Sequence, residues 1–149
     1  LLAGKLLGGM VFGLTVTLVV LVIVLAVFGA ASVNWLLLTL ALLLSAAAFA
    51  ALGALVSVAV KEVFEAQTLA NFIRFPMMFL AGTFFPLEQM PGFLQTIAHV
   101  LPLYYVNEAL RNSMIYMNQN ESLINGAVVI IFAAVFFISG VLLTKWKED

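Results

Sequence analysis

Arg74 is the residue that most needs a chemical explanation. It is the sole charge in an apolar run from about Gln67 to Phe85. It stands about seven residues into that run, or about 10 Å along a helix at ~1.5 Å per residue. A charge at membrane depth costs roughly 2.5–3.5 kcal/mol on insertion scales. Three readings stay open. Arg74 snorkels to the headgroups, pairs with a partner such as Glu65, or faces a polar path. Asn71, three residues earlier, shares its face. Asn71, Phe75, Met78, Phe79 and Gly82 fall at i, i+4, i+7, i+8 and i+11, a stripe of one amide and large soft side chains. Such a stripe suits either a path for an amphiphile or plain helix packing. Downstream, Glu108 and Arg111 are spaced i, i+3, and Asn107 and Arg111 i, i+4, on a further helix; the charges read as a local ion pair, worth little if exposed. His99 is the single histidine and reads as a solvated residue of an amphipathic interfacial helix rather than a proton relay.

Other chemistries lack their residues. Gly4-Lys5 is not followed by Ser or Thr, so no phosphate-binding loop of the Walker type is visible. With one histidine and no cysteine, no histidine pair, thiolate metal site or disulfide is expected. No nucleophile–base pair can be assembled, which leaves an intramembrane enzyme without its machinery. A net charge of −1 gives no nucleic-acid footprint. The chain is expected to bind no cofactor.

The elements that must position these residues belong in lipid. Of 149 residues 65% are hydrophobic and only 9% charged, with a mean hydropathy of +1.22; a soluble domain is about one quarter charged. Residues 1–149 read as one all-α polytopic membrane domain. Four spans are predicted, at about 6–31, 35–60, 67–85 and 123–144. The first two, uncharged and about 26 residues long, exceed a ~30 Å hydrocarbon core, so tilt or overhang is expected. Lys5, Lys61, Lys145 and Lys147 fall on one side of a four-span topology. That side is assigned to the cytoplasm, with loop 61–66 and the C-terminus. The short turn Ser32-Val33-Asn34 and the segment 86–118 then lie outside. Leu1 opens directly into apolar sequence, and the chain reads as a piece of a longer membrane protein.

Segment 86–118 is read as an external helical hairpin. Leu87, Met90, Leu94, Ile97, Ala98 and Leu101 recur at helical spacing over a stretch too short to span. The prediction is an amphipathic helix dipping into the outer leaflet. Pro102 breaks it and opens a second helix to about Tyr116. Asn118-Gln119-Asn120-Glu121 reads as a polar loop. Pro76 removes a backbone hydrogen bond inside the third span and can kink it. Small residues supply close-packing faces: Gly4/Gly8 and Gly9/Gly13 in the first span, and Ala46, Ala50, Gly53, Ala54 and Ser57 in the second.

Several motifs then carry a family likeness. Phe75-Pro76, Ala81-Gly82-Thr83-Phe84-Phe85-Pro86-Leu87-Glu88-Gln89-Met90-Pro91-Gly92-Phe93, Leu101-Pro102-Leu103-Tyr104-Tyr105 and Glu108-Ala109-Leu110-Arg111 closely resemble the permeases of type-2 ABC transporters. Gly4-Lys5-Leu6-Leu7 is similar to the cytoplasmic start of the third span of such permeases. The likeness is strong over about 67–116 and compositional elsewhere. Ala81-Gly82 stands where many members have Ser-Gly, and Asn107 or Glu108 where they have Asp.

The resemblance implies a six-span permease of which this chain holds the third to sixth spans. It also implies an external re-entrant helix pair at 86–101 and 102–116, in which Pro86, Glu88, Pro91, Pro102, Glu108 and Arg111 stand. Partners implied are a cytoplasmic ABC ATPase carrying ATP and Mg, a second permease copy or paralogue, and membrane lipids. The setting implied is a prokaryotic plasma (inner) membrane. The function implied is export of an unidentified substrate by alternating access. The alternative is a non-transporting four-span scaffold or assembly factor, which leaves the broken third span and its proline-rich cap unexplained.

Overall fold

A stretch without a charged residue from Leu6 to Val60 gives nearly all of the two long helices of the N-terminal half. In a computed structural model, which describes residues 2–29, 33–116 and 118–148, α1 covers Leu2–Phe28 and α2 covers Trp35–Ala59. Polar side chains inside these runs are silenced locally. Thr15 and Thr17 of α1 donate to the carbonyls of Val11 (2.7 Å) and Gly13 (2.8 Å). Thr39 and Ser45 of α2 likewise bond back to Trp35 and Ala41. α1 ends at Gly29, whose φ of +80° suits the left-handed residue that closes a helix. The first predicted span was drawn to residue 31; residues 30–32 lie outside the described residues. Asn34 then caps α2, its Oδ1 accepting from the Leu37 amide at 3.2 Å.

The third element, α3 (Val63–Leu80), starts four residues earlier than predicted and stops five earlier. A capping box sets its start: the Glu65 carboxylate accepts from the amides of Lys61 (3.2 Å) and Glu62 (3.4 Å). Its end is set by Gly82 at φ +77°, so Phe84 and Phe85 leave the helix although they are apolar. Pro76 sits within α3, which continues through it.

The hairpin is more broken than the apolar spacing predicts. One 3₁₀ turn covers Leu87–Gln89, then α4 covers Gly92–Ala98 and α5 covers Pro102–Met114. Pro86 and Pro91 stand immediately before the first two, and Pro102 opens the third, where its missing N–H leaves no bond unmade. The last helix, α6 (Gln119–Glu148), absorbs most of the predicted polar loop. Asn118 caps it, accepting from the Glu121 amide at 3.3 Å, and Met117 lies outside the described residues.

Among the described residues the fold is all-α, and three helices, α1, α2 and α6, are long and apolar enough to cross a membrane. α3 has 18 residues, about 27 Å at ~1.5 Å per residue, and carries Glu65 and Arg74. It falls short of the other three in both length and apolarity.

α2 is the hub. It packs against α1, α6, α5 and α3, while α5 packs on both α2 and α6. Buried Ala41, Ala48, Ala51 and Ala54 let neighbours close on the α2 backbone. The core gathers Ala48 of α2, Val106 of α5 and Val129 of α6, with Leu44, Phe49, Leu103, Tyr105, Leu110 and Ala133 around them. At Gly9 of α1 a Cβ would stand 3.3 Å from that of Ala50, so this glycine marks the closest approach of α1 to α2. Gly4, Gly8 and Gly13 have open space. Of the two predicted GxxxG pairs, only one residue serves a tight contact within the chain. Trp35 and Trp146 are exposed at opposite ends of the bundle, where interfacial tryptophans belong.

Candidate functional site: the re-entrant hairpin and the α3 face

The hairpin enters the bundle rather than resting on it. Where α5 ends, the Ser113 carbonyl accepts from the Asn34 amide at 3.1 Å, beside the start of α2. One α5 turn further in, the Ser122 hydroxyl of α6 donates to the Ala109 carbonyl at 3.0 Å. Val106 then meets Ala48, thirteen residues into α2 and therefore about 20 Å from its start. Leu103 reaches the level of Phe49, Leu52, Gly53 and Val56. Polar atoms taken this deep need partners. Asn112, Ser113, Ser122 and Asn125 are buried, each donates to a backbone carbonyl, and no buried side-chain polar atom is left unbonded among the described residues.

The hairpin is fastened to the end of α3. Helix C-termini leave carbonyls without intrahelical donors, and α5 supplies donors. Asn107 Nδ2 donates to the Ala81 carbonyl (3.1 Å) and to Thr83 Oγ1 (2.9 Å). Arg111 Nη2 donates to the Gly82 carbonyl at 2.6 Å. The predicted Glu108–Arg111 pair exists, with Nη1 and Oε1 3.4 Å apart. It is the longer and more exposed of the two Arg111 contacts, so the Gly82 carbonyl is the main partner. Gly82, predicted on the α3 stripe, is instead the buried acceptor of this junction.

The rest of the α3 stripe divides. Arg74 and Met78 turn to a cavity of about 320 Å³ between α2, α3 and α5, which Ala70, Ile73, Met77, Phe49, Gly53, Val56 and Leu103 also line. Phe75 and Phe79 point away from the bundle, 58% and 51% exposed, with Phe79 against Phe84 at 5.5 Å between ring centroids. Asn71 lies at the border between the two faces. The cavity face is thus turned roughly a third of a turn, at ~3.6 residues per turn, from the predicted stripe. Ala70, Ile73 and Met77 were not singled out by the sequence. Their apolar spacing with Arg74 was the signal available.

Arg74 does not pair with Glu65, whose carboxylate caps α3. Among the described residues Arg74 has no hydrogen-bond or ion-pair partner. His99 stands at the C-terminal end of α4, at the turn into α5, and is exposed, as expected. Its ring packs on Tyr104 at 4.6 Å, its Nδ1 lies 2.6 Å from the Gln95 carbonyl, and its own carbonyl accepts from the Tyr105 hydroxyl at 2.8 Å. Pro86, Glu88 and Pro91 shape the descending arm; Glu88 is exposed and forms no ion pair among the described residues. Among the described residues no group of three or more metal-ligating side chains is found.

A second, larger groove of about 720 Å³ lies on α2 between α1 and α5. The small residues Ala46, Ala50, Gly53, Ala54 and Ser57 form its floor, and Gly8, Gly9 and Gly13 one wall. Lys5 Nζ donates to Ser57 Oγ at 3.3 Å at one end.

Comparison with known proteins agrees with this architecture. The family model described as "ABC-2 type transporter" matches residues 1–115. The chain is 27% identical over 138 residues to the "Inner membrane transport permease YadH" of Escherichia coli K12, covering 93% of this chain and 54% of that protein. It is 35% identical over 71 residues to the "Nodulation protein J" of Sinorhizobium fredii, covering 47% of this chain and 27% of that protein. The chain thus spans about half the length of its YadH relative. No solved structure matches it.

Proposed function

The chain belongs to the ABC-2 type transporter family, and from that premise we propose that it forms the C-terminal part of the permease of an ATP-driven exporter. In this reading α3 crosses the membrane as a fourth span. The full permease pairs with a second copy or a paralogue and docks on a cytoplasmic ABC ATPase that holds ATP and Mg. ATPase closure rocks the paired permeases between two access states. The exposed phenylalanine face of α3, with Phe75 and Phe79 beside Asn71, borders the substrate path. Loop 61–66 and the C-terminus face the cytoplasm, and the membrane is a prokaryotic plasma membrane.

One observation carries the proposal. α5 packs on both α2 and α6 and is bonded to the end of α3 through Asn107 and Arg111. A four-span scaffold needs packed helices but no deep, broken element fastened to the least apolar of them. In an exporter that element closes the outer end of the path and couples it to α3. The name of the YadH relative, a transport permease of the inner membrane, supports the same reading.

The test is purification of the full-length protein from its host in mild detergent, with mass spectrometry of bound subunits. A stoichiometric ABC ATPase is the expected result. Its reproducible absence from an intact, monodisperse sample would overturn the exporter reading in favour of the scaffold.

A further inference from the structure

The cavity between α2, α3 and α5 has the shape and charge of a lipid site. Its volume, about 320 Å³, lies at the lower end of the ~300–1,000 Å³ range of small-molecule pockets. One end is defined by Val56 and Ala70. Val56 is three residues from the end of α2 and Ala70 seven from the start of α3, so this mouth is about 5–10 Å from the α2–α3 turn. The other end, at Phe49, Met77 and Leu103, lies under the hairpin. The lining is apolar apart from Arg74, an exposed cation on the α3 wall with no ion-pair partner among the described residues. Helical side chains lean toward the N-terminus, which draws this guanidinium toward the mouth. Basic pockets between membrane helices near one leaflet are suited to anionic headgroups.

We propose that an anionic phospholipid of the leaflet on the α2–α3 turn side occupies this cavity, its headgroup on Arg74 and one acyl chain running inward to Leu103. The lipid is resident, not cargo, so the proposal does not depend on the exporter reading. It supplies the counter-charge that Arg74 lacks among the described residues. It also fills the space beneath Leu103, giving the inner end of the hairpin an apolar floor.

The test uses the full-length protein in nanodiscs of equal phosphatidylglycerol and phosphatidylcholine, extracted into detergent, washed, and examined by native mass spectrometry for retained lipid. Wild type is expected to retain phosphatidylglycerol over phosphatidylcholine about tenfold, a factor within reach of one charge-assisted hydrogen bond. Arg74→Lys keeps the preference and Arg74→Gln reduces it to near unity. Ala70→Leu, which keeps the cation but narrows the mouth, lowers retained phosphatidylglycerol several-fold, so the proposal stays testable should Arg74→Gln misfold. Equal retention of both lipids by wild type overturns the proposal. So does an unchanged preference in Arg74→Gln, or unchanged retention in Ala70→Leu. Loss of the preference when millimolar inorganic phosphate is added also overturns it, because the site would then read a bare anion and not a lipid.

Discussion

The junction between Arg111 and the Gly82 carbonyl should govern whether the hairpin stays docked on α3. Arg111→Met removes the charge and all three guanidinium nitrogens while keeping an unbranched stem. The lost 2.6 Å bond joins a cation to a helix-terminal carbonyl, a contact worth about 1.5–3 kcal/mol. The ion pair to Glu108 is 3.4 Å long, with 37% of the arginine side chain exposed, and contributes about 0–1 kcal/mol. The first term decides the outcome. Arg111→Met should weaken docking by about 2 kcal/mol, which is roughly 30-fold in the local opening equilibrium. Glu108→Gln should change it by less than about fivefold. The assay is hydrogen exchange of the full-length protein in nanodiscs, read on peptides covering α4, α5 and the end of α3. Exchange there should accelerate about 30-fold in Arg111→Met, with the middles of α2 and α6 unaffected. If Glu108→Gln opens the hairpin as much as Arg111→Met, the ion pair is the anchor and this reasoning fails. Acceleration spread evenly over all helices would also refute it, since the junction would then hold the whole fold.

Two glycines give sharper local tests. Gly82→Ala has steric room, its Cβ meeting nothing nearer than the Phe85 carbonyl at 3.8 Å, but must adopt φ +77°; thermal unfolding in detergent should show a loss of about 1–2 kcal/mol, whereas Gly92→Ala, with open space and no positive φ, should be near neutral. Gly9→Val should disturb the α1–α2 contact, where a Cβ already stands 3.3 Å from that of Ala50, while Gly13→Val, facing open space, should not; cross-linking between cysteines introduced on α1 and α2 reads the difference, and equal effects would remove Gly9 from the interface.

The uncharged runs made α1, α2 and most of α6 legible, because nothing in them competes with a lipid-embedded helix. The proline at residue 102 marked the start of α5 correctly for the same reason: its chemistry is local. The end of α3 was misread since Phe84 and Phe85 continue the apolar pattern, and hydropathy does not register a left-handed residue at Gly82. Polarity misled at Gln119–Glu121, which form the first turn of α6 once Asn118 caps them. The Arg111 contact was hidden more deeply. Its partner is a backbone carbonyl 29 residues away, and backbone carbonyls carry no sequence signature. The error of roughly a third of a turn in the α3 face has a physical root. In lipid, the outward and inward faces of a helix are both apolar, so Phe75 and Met77 look equivalent until packing distinguishes them.

α5 holds the ends of three helices on one side of the bundle at once. The Asn34 amide at the head of α2 bonds to its Ser113 carbonyl, the Ser122 hydroxyl at the head of α6 bonds to its Ala109 carbonyl, and the tail of α3 bonds to its Asn107 and Arg111 side chains. None of these three ends can shift by more than a hydrogen bond's slack unless it breaks from α5 or takes α5 with it. This end of the bundle therefore has few independent degrees of freedom: it widens as a set, with α5 as the common rod, or by shedding one tether at a time in order of strength. α1 stands apart from that linkage. It packs on α2 near Gly9 and Ala50, with Lys5 bonded to Ser57 near the far end of α2, and among the described residues it gives α5 no tether of its own.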